Sequence, residues 1–170
     1  VTDVGLRELK SLKNLIRLQL GLTQTTDSVL KVLSENGQLH LFGSARRNSH
    51  RPTSSDEVTD FSLRGTAVTG TGLKVLKEFK NLATLDVDGN QLTDSGLKSL
   101  REMGTLHTLY CATGKDGRRA AAANQITRFH LTHGHVSDAG LKELQGLDNL
   151  GALMLRGPKV TDATMKVVKS

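Results

Sequence analysis

Residues 92–97 read Leu92-Thr93-Asp94-Ser95-Gly96-Leu97, and five other segments of the chain align with them without a gap. They are Val1-Thr2-Asp3-Val4-Gly5-Leu6, Thr25-Thr26-Asp27-Ser28-Val29-Leu30, Val68-Thr69-Gly70-Thr71-Gly72-Leu73, Val136-Ser137-Asp138-Ala139-Gly140-Leu141 and Val160-Thr161-Asp162-Ala163-Thr164-Met165. Successive starts lie 24, 43, 24, 44 and 24 residues apart. Each long interval divides into a turn of 24 residues and a shorter one of 19 or 20, in which Val58-x-x-Phe61-x-Leu63 and Ile126-x-x-Phe129-x-Leu131 restore the pattern. A super-repeat of 67 to 68 residues has thus been copied, giving 1–67, 68–135 and an incomplete 136–170. A fixed period of this size marks stacked units, because one such unit cannot bury its own apolar side.

Inside one turn, Leu6, Leu9 and Leu12 recur at spacing three, and Leu15, Leu18 and Leu20 follow. The same places hold Leu73, Leu76, Phe79, Leu82, Leu85 and Val87, then Leu97, Leu100, Met103, Leu106, Leu109 and Cys111. The first half predicts a helix with one buried face, the second a short strand with alternate side chains inward. The Thr-Asp pair ahead of each helical run supplies a side-chain oxygen for the free N–H groups of the first turn, worth about 1 kcal/mol per cap. Gly65-Thr66, Gly89-Asn90 and Gly157-Pro158 stand where the chain must leave the strand. The expected fold is therefore an α/β solenoid of about seven strand turns in a single domain, 1–170. Its parallel strands line a concave face, and helices and loops form the convex one.

The string L-x-x-L-x-L-x-G-T-x-V-T-D-x-G-L-x-x-L resembles the leucine-rich repeats of the ribonuclease-inhibitor-like and cysteine-containing subfamilies, and most of all bacterial arrays rich in "VTDAGLKEL". That resemblance implies a shared role in protein–protein interaction with widely varied partners. Two departures stand out: the repeated cysteine of the second subfamily is absent, and Asn36 occupies an otherwise apolar place. The second turn is expected to be the weakest for that reason.

Composition narrows the function. The apolar residues are mostly Leu and Val, with four Phe, one Tyr and no Trp. A single cysteine excludes an intrachain disulfide framework and gives no argument for an oxidising compartment. No apolar run approaches the roughly 18 residues of a membrane span, and no signal peptide opens the chain. The net charge is +6, but the basic residues are scattered and not interleaved with aromatics, which disfavours nucleic acid. Two short basic segments, 45–57 and 112–125, occupy matching places in the super-repeat. Each is read as a loop replacing a helix on the convex side, with a helical turn at Ala120–Ala123 in the second. Gly114-Lys115-Asp116-Gly117 lacks the spacing and strand-to-helix setting of a phosphate loop.

No catalytic residues, cofactor or metal site emerge. His130, His133 and His135 lack a further ligand to complete a tetrahedral site. His40 and His107 are equivalent positions that echo the duplication. Cys111 replaces a strand leucine and is expected to be a buried packing residue. Asp86 and Asp88 could pair as acid and base, yet no nucleophile stands beside a base, so a negative recognition patch is the simpler reading. Arg7, Lys31, Lys74, Lys98, Lys142 and Lys166 hold one helix position and predict a discontinuous cationic line on the convex side.

The period of two assigns the concave positions. They are Arg17 and Gln19; Asp60, Ser62 and Arg64; Thr84, Asp86 and Asp88; Thr108 and Tyr110; Arg128, His130 and Thr132; Met154 and Arg156. The core places hardly change between turns while these vary, as suits recognition of a protein partner. The alternative is a spacer or substrate-recognition array within a longer adaptor, enzyme or surface protein; polyanion binding is a third reading. Neither end has a polar capping turn, so the array is expected to be part of a longer one, with fraying at Thr161–Ser170.

Overall fold

A computed structural model describes residues 2–131, 135–156 and 161. Gly157-Pro158, Thr132, His133, Lys166 and most of the segment expected to fray lie outside them. The helices are α1 (Asp3–Glu8), α2 (Asp27–Glu35), α3 (Asp94–Glu102) and α4 (Asp138–Leu141), with a seven-residue 3-10 helix at Gly72–Glu78 between α2 and α3. Thr2, Thr26, Thr93 and Ser137 cap the four α-helices with their hydroxyl oxygens, as expected. The 3-10 segment has no such cap: Gly70 replaces the aspartate of the motif, and its N-terminal residue Thr71 makes no capping bond.

The aspartate does not cap its own helix; it reaches the next one. Asp27 accepts the Thr69 N–H at 2.7 Å and the hydroxyls of Thr69 and Thr71 at 2.6 and 3.0 Å. Asp94 likewise accepts the Ser137 N–H at 2.7 Å and its hydroxyl at 2.5 Å. The glycine of the motif makes room for that carboxylate. A Cβ on Gly72 would sit 2.2 Å from Asp27 Oδ1, and one on Gly140 2.2 Å from Asp94 Oδ1. Thr, Asp and Gly thus have separate jobs: cap, forward bridge and socket.

Among the described residues there are five strands: β1 (Asp60–Ser62), β2 (Thr84–Asp86), β3 (Ala112–Thr113), β4 (Arg128–Leu131) and β5 (Ala152–Leu155). β1 pairs β2 in parallel with Phe61 beside Leu85, and β4 pairs β5 in parallel with Phe129 beside Leu153. Single parallel bridges join Leu18 to Phe42 and Leu85 to Leu109. Where one parallel sheet is expected, the described residues form a two-stranded sheet and a three-stranded one.

The breaks fall at the two short basic segments, which are hairpins and not plain loops. Arg46 pairs Asp60 antiparallel, and Arg47 and His50 exchange both backbone hydrogen bonds around Asn48 and Ser49, each with positive φ. That is the backbone of a two-residue hairpin turn. In the second segment β3 runs antiparallel to β4, and Thr113 bridges Arg119 across Gly117, whose φ is +77°. Parallel neighbours need a crossover of about a dozen residues or more, usually helical. These segments lack an apolar stripe that could hold a helix, so the chain doubles back. Their helical content is one 3-10 turn each, Ser55–Glu57 and Ala123–Gln125, the latter displaced from the expected Ala120–Ala123.

Aromatic bulk gathers where a helix is missing. Phe61 and Phe129, which take the leucine place in the two short turns, are 1% and 0% exposed. Phe61 lies between Phe42 and Phe79, with ring centroids 5.7 and 5.1 Å apart. The core is otherwise aliphatic, with Leu30, Leu33, Leu63, Leu73, Leu97 and Leu100 all fully enclosed. The polar residues of the second turn are held by backbone acceptors. Asn36 donates from Nδ2 to the Leu6 carbonyl at 3.0 Å, and Gln38 donates to the Leu9 carbonyl at 2.9 Å, so the polar side chains tie off the end of the preceding helix. It is the first turn that leaves apolar side chains uncovered: Val4, Leu12 and Ile16 are exposed.

Candidate functional site

Strand geometry decides which predicted residues can meet a partner. Arg64, Asp86, Asp88, Tyr110 and His130 line one hollow of about 280 Å³ whose floor is Leu85, Val87, Leu92, Leu109 and Cys111. It opens because the chain leaves Leu109 for the second hairpin, so that Tyr110 and Cys111 have no strand partner in β2. Tyr110 is 75% exposed at the rim, with the guanidinium of Arg119 5.6 Å from its ring centroid. Arg64 approaches Asp86 at 3.8 Å.

The two carboxylates of this hollow are committed differently. Asp88 accepts the backbone N–H groups of Gly65 at 2.8 Å and Asn90 at 3.3 Å, so it fixes the turn after β2. Asp86 accepts the Ser62 hydroxyl at 3.4 Å. Neither arrangement puts a nucleophile beside a base. Cys111 packs against the core, and burial pushes its thiol up to about 12, which removes the thiolate at neutral pH.

Arg17, Gln19, Ser62 and Arg64 line a second hollow with Ser44 and Arg46, so Arg64 stands between the two. Asp60 is half-buried on β1, and its carboxylate accepts the Thr59 hydroxyl at 2.7 Å. Thr84 is half-buried on β2, while Arg128, Met154 and Arg156 are exposed around β4 and β5, outside both hollows. Thr108 is a correction. It is fully buried, and its hydroxyl donates to the Thr105 carbonyl at 2.7 Å within the 3-10 turn Leu106–Thr108, so it cannot touch a partner. The chain is still coiled at Thr108 and becomes extended only at Leu109, so alternation begins after it.

The histidines separate as well. His130 is exposed in the hollow, and His135 pairs its backbone with Thr93. His40 and His107 are half-buried, each with Nδ1 shut off from solvent and unpartnered, and burial holds both below the usual imidazole range. Among the described residues no group of three or more His, Cys, Asp or Glu is placed to hold a metal ion. No described helix is long and apolar enough to cross a membrane.

The helix side accounts for much of the predicted cationic line. Arg7 pairs with Glu35 at 3.3 Å and Lys74 with Glu102 at 3.8 Å, each one helix along, and Arg101 reaches Glu143 at 3.9 Å. Glu35 and Glu102 hold the same place in their turns, ten residues after the motif start, as does Glu78.

Residues 80–100 match a family model described as a leucine rich repeat. The matched stretch contains β2, the Asp88 turn and most of α3, which supports a leucine-rich-repeat protein. No curated protein matches the chain.

Proposed function

We propose that this chain is a non-enzymatic recognition module that holds a protein partner on its strand side. The observation that carries the reading is the hollow beneath Tyr110. A large aromatic ring stands uncovered over an aliphatic floor, with Arg64, Asp86 and His130 around it. Tyr and Arg are the residue types most enriched among binding hot spots, where an apolar anchor is ringed by polar groups. Leucine-rich repeats generally mediate protein–protein interaction, which favours a protein over a small metabolite as the ligand.

The finer architecture belongs to this proposal. Leu18, Phe42, Phe61, Leu85, Leu109, Phe129 and Leu153 are read as seven successive rungs of one curved coil related to the ribonuclease-inhibitor-like and bacterial "VTDAGLKEL" arrays, with the strand side concave. The super-repeats 1–67 and 68–135, with 136–170 incomplete, are its copied units. Parallel bridges between four of the neighbouring pairs, and hairpins at the same place in each copy, support that reading.

A photocrosslinking residue at position 110 tests it, with a second at Lys98 on the helix side as control. A protein captured from 110 and not from 98, and lost on His130→Ala with the circular dichroism spectrum unchanged, is the expected result. Equal capture from both positions would reject the strand-side site.

A further inference from the structure

The second hollow, about 240 Å³ in volume, gathers positive charge. Arg17, Arg46 and Arg64 line it, and Arg51 follows the first hairpin turn in the chain. Burial, and then repulsion from Arg17 and Arg46, weakens the hold of Arg51 on its proton. Arg51 Nη1 is shut off from solvent and has no hydrogen-bond partner. Arg46 is fixed by donating to the Gly43 and Ala45 carbonyls at 2.7 and 2.9 Å, and Arg17 donates to Gln19 at 2.6 Å. Among the described residues no carboxylate lies within ion-pair distance of Arg17, Arg46 or Arg51; Arg64 alone of the four has one, Asp86.

Clustered like charges cost free energy, and an anion in the hollow removes that cost. Guanidinium groups bind carboxylates through paired N–H donors. A track for a long polyanion is a poor match. Asp60 and Asp86 on β1 and β2 would repel its continuation, and the one aromatic lining residue, Phe42, is buried and offers no stacking face for a base. We propose that this hollow is an anion site that receives the carboxylate side chains of a short acidic segment in the protein partner. The proposal rests on the recognition role above and adds the chemistry of the bound segment.

Fluorescence anisotropy with a labelled peptide carrying several consecutive glutamates tests it, beside the glutamine version and a single-stranded oligonucleotide of equal charge. Binding of the glutamate peptide alone, weakened by added salt, is expected. Arg17→Gln and Arg46→Gln should each weaken it about tenfold or more, as loss of a charge-assisted hydrogen bond does. Arg17 is exposed and held by one side chain, so its variant keeps the test open if Arg46→Gln fails to fold. Unchanged peptide affinity in a folded Arg17→Gln variant, or an oligonucleotide bound as tightly as the peptide, would overturn the site. Crosslinking from position 110 does not depend on these arginines, so its persistence beside a failed peptide test would sink the anion site and leave the recognition reading standing.

Discussion

The helix side and the strand side carry similar residue types and use them in opposite ways. On the helix side, charge is spent within the chain: Asp27 and Asp94 bind the next helix entrance, and Arg7, Lys74 and Arg101 meet glutamates one helix along. Ser34 and Ser55 both donate to Glu78, at 2.5 and 2.7 Å. On the strand side, Tyr110 and His130 are exposed, and Arg17 and Arg51 lack carboxylate partners among the described residues. Polar groups that complete one another stabilise a fold; those left over are available to a second molecule. That difference is the physical basis for proposing a binding face on the strand side.

Substitutions at the helix entrances test the first half of that contrast most severely. A Cβ on Gly96 would lie 1.9 Å from the Gln91 carbonyl oxygen, a backbone atom that cannot swing aside. Gly96→Ala should lower stability by about 3 kcal/mol, read as a shift of the urea midpoint, because overpacking here forces the backbone to move. A midpoint equal to that of the parent chain would show that the joint is loose. Asp94→Ala comes next: it strips the Ser137 N–H and hydroxyl of their acceptor and should cost about 1–3 kcal/mol. An alanine effect as small as that of an ordinary surface site would mean the bridge adds nothing.

The two half-buried histidines give an effect that depends on pH. Burial holds His40 and His107 below the ordinary imidazole value of 6.5, so the folded chain binds fewer protons than the unfolded one as pH falls through that value. Stability is therefore complete above about pH 6.5 and declines below it. Urea midpoints at pH 7.5 and 5.5 should differ in the parent and converge in the His40→Gln, His107→Gln double variant. Smallest of all, Lys74→Ala removes an exposed ion pair and should change stability by less than about 0.5 kcal/mol. A larger loss would promote the cross-helix pairs from solvated contacts to structural ones.

The sequence exposes the parts of the fold that are repeated, and hides those that are not. Thr93, Leu97, Leu100 and Leu85 could be assigned to cap, helix face and strand because each has aligned counterparts. The reach of Asp94 to Ser137 was missed, since one turn read alone suggests that the aspartate serves its own helix. Both hairpins were read as loops: Asn48 and Ser49 carry none of the glycine that usually announces two consecutive positive φ values. In the candidate site, alternation placed Arg64, Asp86, Asp88, Tyr110 and His130 on one side, and they do share a hollow. It failed at Thr108, where a 3-10 turn persists, and it could not see Arg46, which reaches the second hollow from a hairpin the periodic pattern does not cover.

Joining Asp27 to Gly72 and Asp94 to Gly140 gives the stack a polarity. In both joints the carboxylate points toward the higher-numbered unit and the empty Cβ position toward the lower-numbered one, and where Gly70 replaces the aspartate the backbone itself closes onto Gly96 and Thr93. Units can then be spliced in or out only in the same orientation, and a cut that parts a donor from its recess leaves an unmatched half on each fragment. Gene duplication in multiples of a whole turn preserves the joint automatically, which gives a steric reason why copying, and not piecemeal drift, would shape such a chain.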